Sequence, residues 1–274
     1  MKIENVEELR KIAKKIRISI IEQVYRAKSG HPGGSLSSAD ILTVLYFNQM
    51  NINEKEPKAI LRDRFVLSKG HCAPVLYATL AEKGFFNKEE LLGFRKVDGN
   101  LQGHPDMKKV AGVDFSTGSL GQGLSAANGM ALASKLDHNG YRVYCLLGDG
   151  EIEEGQVWEA AMTANKYHLD NLCAIVDYNG LQIDGTVKAV KGLDDLEGKF
   201  KNFGFNTIVV DGNNIEQLID AFESAKLVKD MPTVIIAKTI KGKGVSFMEN
   251  KVEWHGKAPN EEEYKQAIEE LKNN

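Results

Sequence analysis

The chain has 274 residues, 42% of them apolar, enough to bury a sizeable core without disulfide or metal staples. Its 35 Lys and Arg stand against 38 Asp and Glu, and a formal charge of -3 spread along the chain excludes the concentrated basic field of a nucleic-acid surface. The N-terminus has no apolar signal segment, no stretch approaches a membrane span, and Cys72, Cys145 and Cys173 show neither CxxC nor paired spacing. A cytoplasmic protein with free thiols is expected, with no membrane and no nucleic-acid partner.

From residue 5 to 28, Leu9, Ile12, Ala13, Ile16, Ile20 and Val24 recur at helical spacing, with Gly30 as the expected stop. Lys11, Lys14, Lys15 and Arg17 fall on the polar side of this helix and read as a solvated face. Ser37 with Asp40 forms a capping-box signature ahead of Ile41 to Phe47, and Asn87 with Glu90 forms another that opens a short helix. Residues 119–137, rich in Ala, Leu, Met and Gly, predict a tightly packed buried helix. Then the pattern changes. Tyr141 to Leu147 is a short apolar run ended by Gly148-Asp149-Gly150, and Leu172 to Val176 is another, ended by Asp177-Tyr178-Asn179-Gly180. A helix is expected between them over 154–168. Runs at 206–210 and 233–238 flank a helix over Asn214 to Lys229, and Asn260 is placed to cap a charged helix running to Asn274. Strands alternating with helices, and apolar on both faces, predict an α/β fold: a parallel sheet covered by helices on both faces, in a single domain over 1–274.

Chemistry concentrates at two strand ends. Gly148-Asp149-Gly150 is followed by 28 residues and then Asn179, so each lies just past the C-terminal end of an expected strand. That edge of a parallel sheet is where ligands bind, and neighbouring strands would bring the two loops together. Asp149 and Asn179 offer hard oxygen donors, and the flanking glycines allow close approach of backbone. The set suits Mg²⁺ bridging to a diphosphate. Asp-Gly or Asn-Gly alone marks a turn in many folds; both after buried strands point to a site.

The stretch GDGEIEEGQVWEA…LCAIVDYNGLQIDG resembles the thiamine-diphosphate motif of transketolases. Four further segments match that family in its order: Ser29-Gly30-His31-Pro32-Gly33-Gly34; Arg62 to His71; Gly103-His104-Pro105 with Thr117 to Gly123; and Trp254-His255-Gly256-Lys257-Ala258-Pro259. The resemblance covers roughly residues 29 to 259 and implies the thiamine-diphosphate-binding fold. It implies that Asp149 and Asn179 bind Mg²⁺ or Ca²⁺ by side chain, and Leu181 by its carbonyl. Gly118, Ser119, Leu120, Gly148, Gly150 and Glu151 would contact thiamine diphosphate. His71 and His255 would lie at the diphosphate end, His31 and His104 would face substrate hydroxyls, and Glu154 would join a carboxylate network reaching a partner chain. The implied reaction passes a two-carbon ketol unit from a ketose phosphate to an aldose phosphate, with imidazoles moving protons near neutrality. His138 and His168 match no motif and read as ordinary residues, and a zinc site lacks its ligand spacing.

Full-length members of that family continue into a pyrimidine-binding domain and a C-terminal domain. The expectation is therefore a split enzyme, in which this chain joins a cognate chain carrying the pyrimidine domain. At least two of each would assemble, giving a heterotetramer. A fragment of a longer chain is the competing explanation. Within the family, a transferase for a modified ketose or a deoxyxylulose-phosphate-synthase-like enzyme stands as the alternative. A more distant one is a NAD-binding oxidoreductase, because Gly121-Gln122-Gly123-Leu124-Ser125-Ala126 fits GxGxxA before a helix; Val110 to Phe115 makes a poor strand ahead of it. A cofactor-binding protein without catalysis is the non-enzymatic alternative, which His31, His71, His104 and His255 argue against.

Overall fold

Leu172 to Val176 is apolar throughout and buried on both faces, as a central strand of a parallel sheet must be. The computed structural model describes residues 2–273. Its elements in chain order are α1 (Val6–Ala27), α2 (Pro32–Ser37), α3 (Ala39–Val44), β1 (Arg64–Leu67), α4 (Ala73–Lys83), α5 (Gly123–Leu136), β2 (Val143–Gly148), α6 (Gly155–Lys166) and β3 (Leu172–Tyr178). They continue through β4 (Leu181–Gln182), β5 (Gly185–Thr186), α7 (Val187–Val190), α8 (Leu196–Asn202), β6 (Asn206–Asp211), α9 (Ile215–Leu227), β7 (Thr233–Lys238) and α10 (Glu261–Asn273).

The main sheet runs β1-β2-β3-β7-β6, with every neighbouring pair parallel. Alternate residues serve opposite cores, as the two-residue period of a strand requires. Phe65, Leu67, Tyr144, Leu146, Cys173, Ile175 and Ile235 join a core with α1, α3, α4 and α9. Val66, Val143, Cys145, Leu147, Ala174, Val176 and Ile236 pack instead against α5, α6 and α8. All three cysteines are free and buried. Gly148 of β2 pairs in register with Asp177 of β3, so the loops following the two strands emerge side by side at one edge. No helix among the described residues is long and apolar enough to cross a membrane.

Several expectations are corrected. Helix α1 stops at Lys28, which takes the left-handed conformation and donates its N–H to the Tyr25 carbonyl, two residues before Gly30. Arg17 is not on a solvated face; it is buried and binds Asp40 through both terminal nitrogens, at 3.0 and 2.6 Å. That pairing removes Asp40 from the expected capping box, and Ser37 donates to the Gly34 carbonyl and to Asp177 instead. The helix over 119–137 begins only at Gly123, leaving 119–122 as loop. The short α2, β4, β5, α7 and α8 lie outside the expectations, as do β1, whose four residues are too few for a strand period, and α4, which is buried on every side from Ala73 to Ala81. Residues 110–115 form no strand, so α5 lacks the strand a dinucleotide fingerprint needs ahead of its helix. The caps at Asn87 and Asn260 are formed as expected, and Asn214, expected as the first helical residue, caps α9 instead; Asn274 lies outside the described residues.

Candidate cofactor and active site

At the C-terminal edge of the sheet a cavity of about 480 Å³ opens between the loops after β1, β2 and β3. Asp149 sits at its base, buried, because β2 ends in Gly148 and the chain turns there. Its Oδ1 accepts the Gly150 N–H at 2.8 Å and its Oδ2 accepts the Gly180 N–H at 2.5 Å, so the carboxylate ties the β2 loop to the β3 loop. Burial, then the neighbouring Asp177 charge, raises its pKa to about 6 against those two hydrogen bonds.

Asn179 is oriented from below. Its Nδ2 donates to Asp177 Oδ2 at 3.2 Å, while its Oδ1 accepts the Leu181 N–H at 3.2 Å. Asp177 is fully buried and accepts from Lys69 Nζ, from Ser37 Oγ at 2.6 Å, from Ser38 Oγ at 3.2 Å and from Thr239 Oγ1. Burial alone would push its pKa up, but the Lys69 ammonium and these donors hold it down. The same pairing raises the Lys69 pKa against its own burial. An ion pair this deep is costly to desolvate and persists because every partner is satisfied.

Asp149, Asn179 and the Leu181 carbonyl present hard oxygens to one cavity, the chemistry that suits Mg²⁺ or Ca²⁺. Among the described residues no three His, Cys, Asp or Glu side chains cluster to hold a metal, so a cation here must also draw on amide and carbonyl oxygens. Lys241 Nζ donates to the Leu181 carbonyl at 2.9 Å, which leaves that oxygen a second lone pair.

The opposite wall is aromatic. His31, His71 and His255 meet with ring centroids 5.1 to 5.5 Å apart. His31 caps α2, His71 lies in the turn that leads β1 into α4, and His255 ends a short turn at Val252–His255. Burial, then Arg95, His104 and Lys241, lowers the His31 pKa to about 4. Burial, then Lys241, lowers His255 to about 3, and burial, then Lys69, carries His71 well down as well. All three are therefore neutral imidazoles at pH 7, each with one N–H and one lone pair. Lys241 Nζ lies 2.9 Å from His255 Nδ1, which fixes that nitrogen as the acceptor. His31 Nδ1 is buried without a partner.

Of the sequence-predicted residues, Gly118, Leu120, Gly148, Asp149, Gly150, Glu151, Glu154, Asn179 and Leu181 line this cavity with the three histidines. His104 and Ser119 do not. The His104 ring packs against the Gly118 α-carbon, where a Cβ would come within 3.2 Å of it, and Gly118 takes a φ of 151° that other residues rarely adopt. Glu151 is buried and accepts from Ser68 Oγ, Gly121 N and Gly148 N, so it holds three loops together. Lys69, Gln182, Ile183, Lys191 and Lys241 also line the wall, and sequence reasoning missed them as site residues. Lys241 follows β7 as Asp149 follows β2, so a lysine just past an apolar run was the available signal.

A buried carboxylate and a half-buried amide at a parallel sheet's C-terminal edge, facing neutral imidazoles, define an α/β protein with one polar ligand cavity at that edge. Likeness to known proteins narrows this. The chain belongs to the transketolase family: the model for "Transketolase, thiamine diphosphate binding domain" matches residues 9–274. It is 44% identical over 266 residues to an apulose-4-phosphate transketolase subunit of Phocaeicola vulgatus, covering 97% of this chain and 94% of that one. It is 46% identical over 269 residues to human transketolase, covering 98% of this chain and only 42% of that protein. The crystal structure of Campylobacter jejuni transketolase superposes with a TM-score of 0.92 at 35% identity, over 98% of this chain and 43% of that one.

Proposed function

We propose that this chain is the diphosphate-binding subunit of a thiamine-diphosphate- and Mg²⁺-dependent transketolase, acting as a single domain over 1–274 in the cytoplasm. With a separate chain carrying the pyrimidine domain, in a heterotetramer, it transfers a two-carbon ketol unit from a ketose phosphate to an aldose phosphate. The supporting observation is one cavity with oxygen donors on one wall and three neutral imidazoles on the other. A relative of matching length that is named a transketolase subunit supports the split.

Thiamine diphosphate, when bound, supplies the stabilised carbanion that carries the two-carbon unit. The rest falls to protein. Asp149, Asn179 and the Leu181 carbonyl hold the cation, and Gly118, Ser119, Leu120, Gly148, Gly150 and Glu151 shape the seat of the cofactor. His71 and His255 stand at the diphosphate end. His31 and His104 meet the sugar hydroxyls, where a neutral imidazole accepts a hydroxyl proton at one nitrogen and donates at the other. Glu154 is exposed beside the cavity, placed for a carboxylate contact across the boundary between chains.

A modified ketose is the second reading for the donor, favoured by the relative whose name specifies apulose 4-phosphate. The test is to titrate the chain with thiamine diphosphate and Mg²⁺, with and without a candidate pyrimidine-domain chain encoded beside it. Ketol transfer from xylulose 5-phosphate to ribose 5-phosphate is then followed. Transfer only in the mixture, abolished by Asp149→Ala, supports the proposal. Cofactor binding without transfer redirects the search to modified ketoses, and no binding under any condition overturns it.

A further inference from the structure

Arg95, like Arg64 and Arg142, is a half-buried arginine without an ion pair among the described residues. Arg17 binds Asp40 and Arg62 binds Asp114, whereas no carboxylate among the described residues lies within ion-pair distance of Arg95. Its backbone position is fixed. Arg95 takes a φ of 59° and donates its N–H to the Leu101 carbonyl at 2.8 Å, closing a tight loop. Gln102 Nε2 stiffens that loop from inside, reaching the Lys96 carbonyl at 3.0 Å and the Gly99 carbonyl at 2.6 Å.

The guanidinium projects from this platform between two other loops. Nη1 donates to Ser29 Oγ at 2.9 Å, two residues before His31. Its plane lies on the α-carbon of Gly103, where a Cβ would come within 2.9 Å of both Cζ and Nη2, one residue before His104. A side chain at position 103 would therefore push the guanidinium aside. We propose that Arg95 is a positioning residue that braces the His31 loop against the His104 loop, fixing the spacing and protonation state of the two imidazoles that meet the sugar. This rests on the sugar-facing role given above to those histidines.

The electrostatics agree with the geometry. An arginine without a counter-ion disfavours protonation of any nearby base. Burial comes first in lowering the His104 pKa and Arg95 second, with no other charge contributing. For His31 burial again comes first and Arg95 second, ahead of His104 and Lys241; the rings of His71 and His255 also face it. Beside His104 lie the Gly118 backbone and Tyr77, whose OH donates to the His104 carbonyl at 3.1 Å. His104 is thus the cleaner reporter.

The experiment follows the ring Cε1–H signals of the six histidines by NMR in the full chain, as pH is lowered, in wild type, Arg95→Gln and Arg95→Lys. The expected result is a His104 midpoint that rises in Arg95→Gln and stays near wild type in Arg95→Lys. In the assembled enzyme, Arg95→Gln should lower kcat by about tenfold, the scale of a partly lost proton-transfer contribution. The acid limb of the profile should also move to higher pH, because each base then protonates more readily. A His104 midpoint that does not move in Arg95→Gln overturns the proposal. If that variant does not fold, Gly103→Ala, which displaces the guanidinium with one methyl, should raise the same midpoint, and its failure to do so counts equally against. The NMR readout needs neither cofactor nor partner, so an absence of transfer in wild type would count against the transketolase reading and leave this test standing.

Discussion

Asp149 is held in the fold at a cost: buried, its carboxylate is harder to ionise than in water, and its pKa rises to about 6. Such a group is retained for what it binds and not for what it stabilises. Asp149→Ala is therefore expected to leave the urea midpoint of the free chain within error of wild type, or raise it, while weakening Mg²⁺-dependent thiamine diphosphate binding by roughly 100-fold or more, on the order of 3 kcal/mol. Calorimetric titration beside a urea melt checks both halves. The histidines give a pH signature of their own. His31 and His255 have folded pKa values near 4 and 3, against 6.5 for the unfolded chain, and His71 is lowered too. Between pH 6.5 and about 4 the unfolded chain binds protons that the folded one refuses, so the stability these groups contribute falls as pH falls through that window. Asp149 and Glu151, both raised, act in the opposite sense. A comparison with His31→Asn/His255→Asn cancels them: the double variant should lose less stability between about pH 7.5 and 5.0 than wild type, measured by urea unfolding at each pH.

Helices α1 and α3 are joined by more than apolar packing. Arg17 of α1 holds Asp40 of α3 in a buried two-point pair, Arg17 Nε donates to the Lys243 carbonyl at 3.1 Å, and Asn213 Nδ2 donates to Asp40 Oδ2 at 2.9 Å. Removing one charge leaves the other buried and alone. Asp40→Ala should cost about 3–5 kcal/mol, and Arg17→Met/Asp40→Leu markedly less, because the double variant strands no charge. Denaturant melts of wild type, single and double variants check this, and equal losses would show that the pair itself, not the stranded cation, carries the energy. This cluster also marks where the sequence stopped being legible. Arg17 falls on the polar side of a helical pattern, and periodicity has no way to show that α3 brings an aspartate to meet it. The strands β2, β3 and β7 were legible because runs buried on both faces stay apolar, β6 at the sheet edge kept the apolar run Ile208 to Val210 while only half-buried, and the 28-residue spacing from Gly150 to Asn179 fitted one crossover between adjacent strands. Asp177 and Lys69 were not: each is a charge inside or beside an apolar run, and only the assembled sheet edge reveals that they neutralise each other and orient Asn179.

At the scale of the whole molecule the cavity is unfinished on one side. Its wall includes Leu120 at 38% exposure and Ile183 at 66%, and Val190, beside the wall residue Lys191, is 44% exposed. Ile183 and Val190 project from the β4–β5 hairpin and α7, and Glu154 stands exposed at the same rim. Apolar side chains are ordinary on a surface when scattered, but several around one polar cavity point to a covering surface. If a chain carrying the pyrimidine domain closes the site, these side chains become interface. Val190→Asp would then place an unpaired charge in a desolvated contact while touching none of the proposed cation or histidine groups. The expected outcome is at least a tenfold weaker Kd for the partner, about 1.4 kcal/mol, with Mg²⁺-dependent thiamine diphosphate binding to the free chain within twofold of wild type. Sedimentation of the mixed chains measures the first and calorimetry of the free chain the second. Undiminished assembly in the variant would mean that the partner approaches from another face, and that this rim is closed by the cofactor alone.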